Sequence, residues 1–97
     1  MLHFTVIKSF RHRGLKRYYE KDDSRYLPPA LIGRIGKILA LMDAADSLDG
    51  INLPALRLHK LSGDLKDYWS ASVTGNWRII FNYEEGEFHN LELIDYD

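Results

Sequence analysis

Residues 68–83 read Y-W-S-A-S-V-T-G-N-W-R-I-I-F-N-Y, and the arrangement of the chain can be worked out from them. Tyr68 to Val73 and Trp77 to Tyr83 are rich in aromatic and β-branched residues, and Thr74-Gly75-Asn76 lies between them. That is the pattern of a β-hairpin. Strand side chains alternate between faces, so Trp77, Ile79, Phe81 and Tyr83 share one face and Arg78, Ile80 and Asn82 the other. The first set is the apolar one and should meet the core. Beyond the hairpin, Glu85-Gly86 makes a second tight turn into a strand from Phe88 to Tyr96. Before it, Leu56 to Leu61 suits another strand, followed by a Ser62-Gly63-Asp64 turn.

The first half reads differently. Phe4 to Lys8 is a short apolar run suited to a strand. Ser9 can cap a helix from about Phe10 to Lys21, in which Gly14 should cost about 1 kcal/mol relative to alanine. Asp22-Asp23-Ser24 breaks that pattern. Pro28-Pro29 suits the start of a second helix, and Leu31, Ile35, Ile38, Leu39, Met42 and Ala45 keep helical spacing until a predicted end near Ser47. The order is β-α-α-β-β-β-β, two helices against a mostly antiparallel sheet, an α+β fold. No repeat or linker divides the chain, so residues 1–97 are read as a single domain.

Composition narrows the function. The chain is 45% hydrophobic and 28% charged, the profile of an ordinary globular domain. There is no cysteine, which excludes disulfides and thiolate metal sites and fits a reducing compartment. No run reaches membrane-spanning length and the start lacks signal-peptide features, so a cytoplasmic protein with no membrane contact is expected. The four histidines, His3, His12, His59 and His89, lack metal-ligand spacing, and no glycine-rich phosphate loop is present; no metal or cofactor is expected. The net charge of -1 is unevenly spread. Residues 1–40 hold nine Lys/Arg and three Asp/Glu, residues 41–97 four and eleven. A basic half can meet phosphate backbones, although solvated helix faces explain it as well.

Parity also gathers the polar groups. If Leu56 and Leu58 turn inward, Arg57 and His59 turn outward. In the last strand Leu91, Leu93 and Asp95 share one face, and Asn90, Glu92, Ile94 and Tyr96 the other. Arg57, His59, Arg78 and Tyr96 then lie together on the face away from the helices, provided no β-bulge intervenes.

The same residues carry a family resemblance. I-K-S-F-R-H-R-G-L-K at Ile7 to Lys16, R-L-H-x-L-x-G-D at Arg57 to Asp64, W-S-x-S-V-x-x-N-W-R-I at Trp69 to Ile79, and the closing D-Y resemble the HigB toxins of the RelE superfamily. The match runs in order from Ile7 almost to the C-terminus. The resemblance implies a RelE-like ribonuclease fold and a toxin that cuts messenger RNA in the decoding site of the 70S ribosome. It implies a HigA-like helix-turn-helix antitoxin, whose complex with the toxin binds operator DNA. Arg78, Asp95 and Tyr96 match positions that contribute to the family's active site, and His59 matches the motif histidine. Three positions depart: Ser62 replaces a lysine, Thr74 replaces an arginine found in some relatives, and Asp97 stands where a histidine often ends the chain.

Such a reaction needs a proton acceptor for the 2′-hydroxyl, donors for the developing phosphorane charge and a proton for the leaving 5′-oxygen. Arg78 suits the phosphate, because guanidinium is always charged and can bind two oxygens at once; the competing role is an ion pair with Glu92. Tyr96 suits proton transfer or base stacking, or else packs the sheet edge. His59 carries an imidazole, a group suited to proton transfer, but could equally be structural. Arg57 can contact RNA phosphate or form a surface ion pair. Lys66 could stand in for the lysine missing at Ser62, against the plainer reading of a solvated side chain. Lys60 is less suitable, since its parity opposes that of His59. Two other functions fit the same fold: a toxin that acts on DNA gyrase, and a catalytically silent module that binds the antitoxin and tunes repression.

Overall fold

The computed structural model describes residues 6–95. Helix α1 spans Arg13–Lys21 and helix α2 Ile32–Ala44, the latter entered through a 3₁₀ turn at Pro29–Leu31. Four antiparallel strands follow, β1 (His59–Lys60), β2 (Trp69–Thr74), β3 (Trp77–Glu84) and β4 (Glu87–Asp95), hydrogen-bonded in that order. The α+β architecture expected from the sequence is the one found.

The N-terminal strand expected at 4–8 begins outside the described residues. What is described of it runs parallel to β4 through single bridges at Ile7–Phe88 and Phe10–Leu91. The backbone N–H of Arg11 still pairs with Leu91 O at 2.8 Å, so the chain cannot enter a helix at Phe10. Ser9 is therefore not the helix cap. His12 is, its Nδ1 accepting from Leu15 N at 3.1 Å. Ser9 Oγ instead accepts from Asn90 N at 2.8 Å. Gly14 is needed for close approach: a Cβ there would lie 2.7 Å from the carbonyl oxygen of Tyr26. Helix α2 ends at Ala44, short of the expected Ser47, because Ala45 turns to extended backbone and Ser47 caps a separate 3₁₀ turn at Leu48–Ile51.

One face of the sheet carries the core. Leu15, Ile35, Ile38, Leu39 and Met42 from the helices pack with Ala71, Val73, Ile79, Phe81, Phe88, Leu91 and Leu93 from the strands. Burying side chains of this size contributes about 1.5–3 kcal/mol each. Phe88 lies edge-on between Phe81 and Tyr83, at 5.3 and 5.0 Å between ring centroids.

The two hairpin turns are tight. Gly75 (φ 55°) occupies the first position of one, and Glu85 and Gly86 (φ 49° and 81°) both central positions of the other. Strand twist favours both forms, positive φ at the first central position or at both. A bulge shifts the β3–β4 register between Ile80 and Asn82. Asn90 sits there at φ 56°, a conformation asparagine tolerates better than most residues. The bulge explains why Phe88 and Leu91, an odd distance apart, both face the core.

The strand expected at Leu56–Leu61 is the main correction. Pro54–Leu56 is a 3₁₀ turn, Arg57 is left-handed (φ 49°, ψ 45°), and only His59–Lys60 pairs as strand. Leu56 is buried and Leu58 packs on the core. Their burial fixes which way Arg57 and His59 point, although the backbone between them is not extended.

Candidate active site

On the face where no described helix packs, the register brings side chains into rows. His59 pairs with Ser70, Ser70 with Ile80 and Ile80 with Glu92. Ser72, Arg78 and Ile94 form the adjacent row. Arg57, His59, Leu61, Ser70, Arg78 and Ile80 line a concavity of about 230 Å³. Ser70 and Ile80 form its floor; both are buried, yet neither belongs to the helix-side core.

Arg78 is held by its outer nitrogen. Nη1 donates towards Ser72 Oγ at 3.1 Å, Gly75 O at 2.9 Å and Trp77 O at 3.2 Å. None of the ion pairs among the described residues involves Arg78 or Glu92. The cross-strand pair considered from the sequence is not formed, and Glu92 Oε1 accepts from Leu93 N instead. Nε and Nη2 of Arg78 make none of these three bonds. They are the donors with which a guanidinium grips an oxyanion.

His59 is oriented by the backbone beneath it. Its Nδ1 lies 2.9 Å from the carbonyl oxygen of Arg57. A carbonyl can only accept, so Nδ1 carries the hydrogen. In the neutral ring the lone pair is then on Nε2. The left-handed turn at Arg57 aims that carbonyl. Such a conformation costs a residue with a Cβ about 1–2 kcal/mol. Arg57 itself is exposed and adds a second permanent cation to the rim.

The remaining candidates lie apart. Ser62 and Lys66 are exposed on the loop that follows Leu61, before and after a 3₁₀ turn at Gly63–Leu65, and neither lines the concavity. Asp95 pairs with Trp77 at the end of the sheet and so shares the opposite face. Tyr96 lies outside the described residues. Lys60 sits with Nζ 5.4 Å from the Trp69 ring centroid, on the side away from His59, as its parity requires.

Sequence reasoning missed Ser72 as the anchor of Arg78. The hairpin register could have found it, because residues paired across strands have side chains in contact. It also missed Arg11 and Tyr68, where Arg11 Nη1 donates to Tyr68 Oη at 3.1 Å. That contact joins residues 57 positions apart and has no local signal. Among the described residues no cluster of three metal-binding side chains occurs.

The chain is 38% identical over 91 residues to the Endoribonuclease HigB of Proteus vulgaris, covering 94% of this chain and 99% of that protein. It is 29% identical over 86 residues to the Toxin HigB-1 of Vibrio cholerae, covering 87% and 90%. The fold is shared with a conserved hypothetical protein of Helicobacter pylori known from its solution structure, at a TM-score of 0.51 and 11% identity, over 93% of this chain and 94% of that one. Residues 8–97 match the family described as the RelE-like toxin of the type II toxin-antitoxin system HigB, and the chain belongs to that family.

Proposed function

We propose that this toxin is an endoribonuclease that cuts messenger RNA during translation on the 70S ribosome. The observation that carries the reading is Arg78: a guanidinium pinned on one side by Ser72, Gly75 and Trp77, unpaired with any described carboxylate, lining the same concavity as an oriented histidine. The relationship to a protein named as an endoribonuclease supports it.

In the proposed reaction His59 Nε2 accepts the proton of a 2′-hydroxyl. The 2′-oxygen attacks the adjacent phosphorus, the bond to the 5′-oxygen breaks, and a cyclic phosphate and a free 5′-hydroxyl result. Arg78 holds the non-bridging oxygens as charge grows on them, help of a kind that contributes about 10²–10³-fold. Arg57 adds positive potential at the rim. Tyr96 is assigned the proton for the leaving oxygen, because a phenol of pKa about 10 remains protonated at neutral pH. The groups facing the concavity are donors and one imidazole rather than a ligand set, which supports a reaction without a metal ion. No role is required of Asp95 beyond the family match.

As a type II toxin the protein has an antitoxin as its partner. We assign that partner to the HigA-like helix-turn-helix class, with operator DNA reached only through it. No helix among the described residues is long and apolar enough to cross a membrane, and the proposed substrate places the toxin in the cytoplasm.

The test is cleavage of a defined message on purified ribosomes and as naked RNA. Cutting should require translation, survive chelator treatment of the toxin before it meets ribosomes, and fall by about 10²–10³-fold in Arg78→Ala. A folded Arg78→Ala that cuts as well as the parent refutes the assignment. Gyrase inhibition without RNA cleavage would select the other toxin activity instead.

A further inference from the structure

Arg11 and Tyr68 are not used by the chemistry above. Arg11 leaves the edge segment beside β4, where its N–H bonds Leu91 O. Tyr68 immediately precedes β2, and the alternation carried back from Ser70 puts its ring on the open face. Their side chains reach towards each other and meet at 3.1 Å, Nη1 to Oη. Strands lie about 4.8 Å apart, so the contact must stand above the middle strands, β3 and β4.

Both ends are firmly placed. The Tyr68 backbone is tied to Leu61 N and Leu65 O, each at 2.9 Å. The carbonyl of its neighbour Asp67 accepts from Asn82 Nδ2 at 2.8 Å, and Asn82 Oδ1 accepts from Asn90 Nδ2 at 2.7 Å. Yet neither side chain is part of the hydrophobic core. Arg11 is exposed and in none of the ion pairs among the described residues. The phenol, and more weakly the carboxylate of Glu92, raise its pKa above the usual arginine value, so it stays charged. Four of its five N–H donors are left over after Tyr68 is bound.

Tyr68 and Leu61 are hydrogen-bonded neighbours, and Leu61 lines the concavity. Arg78 stands at the other end of that concavity, four residues along the sheet from the row of Tyr68 and Asn82. Four residues of strand span about 13 Å. An aromatic ring with a charged guanidinium beside it is the arrangement that holds single-stranded nucleic acid, the ring stacking on a base and the cation meeting the backbone.

We propose that Arg11 and Tyr68 form a second nucleotide subsite, which binds a base and phosphate of the RNA strand flanking the position cut at Arg78. The inference rests on the ribonuclease reading. Its ligand is a nucleotide of the message, and the test separates that source from ribosomal RNA.

The experiment measures cleavage on programmed ribosomes for the parent, Tyr68→Phe, Tyr68→Leu and Arg11→Gln. Each is paired with messages carrying an abasic nucleotide at successive positions on both sides of the cut. Tyr68→Leu should lose about 10-fold or more in kcat/KM, the size of one stacked base, and Tyr68→Phe much less. At one position the abasic message should cost the parent the same factor and cost Tyr68→Leu nothing further. Thermal unfolding checks that each variant is folded, and the loss of the abasic penalty at one position in Tyr68→Leu is the signature that a purely structural contact would not give. Additive losses at every position would overturn the subsite and point to ribosomal RNA or to packing. Equal cleavage by parent and Tyr68→Leu would overturn it too. Absence of cleavage by the parent would instead remove the ribonuclease reading on which the subsite depends.

Discussion

Replacing Arg78 by lysine separates charge from shape. The three acceptors around Nη1, Ser72 Oγ, Gly75 O and Trp77 O, lie at 3.1, 2.9 and 3.2 Å. They use both hydrogens of that nitrogen. The hydrogens of Nε and Nη2, three of the five, remain for a phosphate. Lysine has a single nitrogen. Its ammonium can stay with the turn carbonyls or face the phosphate, but cannot do both. One hydrogen bond to a charged group contributes about 1.5–3 kcal/mol, or about 10–150-fold in rate. Arg78→Lys is therefore expected to lose about 10–100-fold in kcat on programmed ribosomes, and Arg78→Ala about 10²–10³-fold. Ser72→Ala removes one of the three acceptors that hold the charged Nη1 while both carbonyls remain, so it should lose less than Arg78→Lys, about 10-fold or below, with arginine still present. Circular dichroism and thermal unfolding are the checks that each variant is folded. A lysine variant with more than half the parent rate would show that positive charge alone suffices. The pinned geometry would then have no part in the reaction.

Arg57 combines a charge with a left-handed backbone, and two substitutions separate them. Arg57→Gly should keep the carbonyl aimed at His59 and match or exceed the parent in thermal stability, whereas Arg57→Ala should be less stable than the glycine variant by about 1 kcal/mol; the reverse order of melting temperatures would contradict the strain. On the neighbouring loop, Ser62→Lys should raise cleavage if a cation is missing there, while Lys66→Ala should cost about 10-fold if Lys66 supplies it. No change in either rate would exclude the loop from the reaction. At the end of α1, Asp23 accepts from Arg25 through side chain and backbone and from Arg17, which holds its carboxyl well below the usual 3.8. A carboxyl depressed in the folded state stabilises at pH above its unfolded value, and that stability disappears as pH falls through the folded one. Chemical denaturation should thus find Asp23→Asn less stable than the parent from pH 5 to 7, with the gap closing in acid below about pH 4; a gap independent of pH would contradict the ion-pair account.

The hairpin was legible because both of its signals were local. Gly75-Asn76 marks the turn, and the alternation from Trp77 to Tyr83 marks the faces. Arg78 could be placed for that reason alone. The face of His59 was also read correctly, but through Leu56 and Leu58 rather than through a strand. Burial of those two leucines leaves Arg57 and His59 outside whether the backbone is extended or turned. What the sequence could not reveal is the turn itself. An arginine at φ 49° has no compositional mark, since glycine or asparagine is the residue that announces such a position. The bond from His59 Nδ1 to Arg57 O, which decides the ring tautomer, was hidden with it. Ser9 was misread for a similar reason. A serine before a basic, amphipathic run has the pattern of a helix cap, and only the pairing with Asn90, 81 residues away, shows that its hydroxyl is already engaged.

The shape of the site bears on where the proposed reaction can proceed. A concavity of about 230 Å³ is smaller than the roughly 300–1,000 Å³ of pockets that enclose small ligands. Its floor, Ser70 and Ile80, offers little to grip, and its charged groups stand on the rim. Such a surface can stabilise a phosphate presented to it. It cannot by itself bend an RNA strand so that a 2′-oxygen, a phosphorus atom and a 5′-oxygen fall in line. Displacement by about 1 Å can cost about 10²-fold, and flexible RNA seldom adopts the in-line geometry. The orientation has to come from whatever holds the strand, which is the role the ribosome takes in the proposed function. Arg11 and Tyr68 would extend the toxin's own grip by one nucleotide, well short of replacing that support. Cleavage of naked RNA at a rate near that on ribosomes would therefore count against this account of the site's shape, even if every substitution at Arg78 behaved as expected.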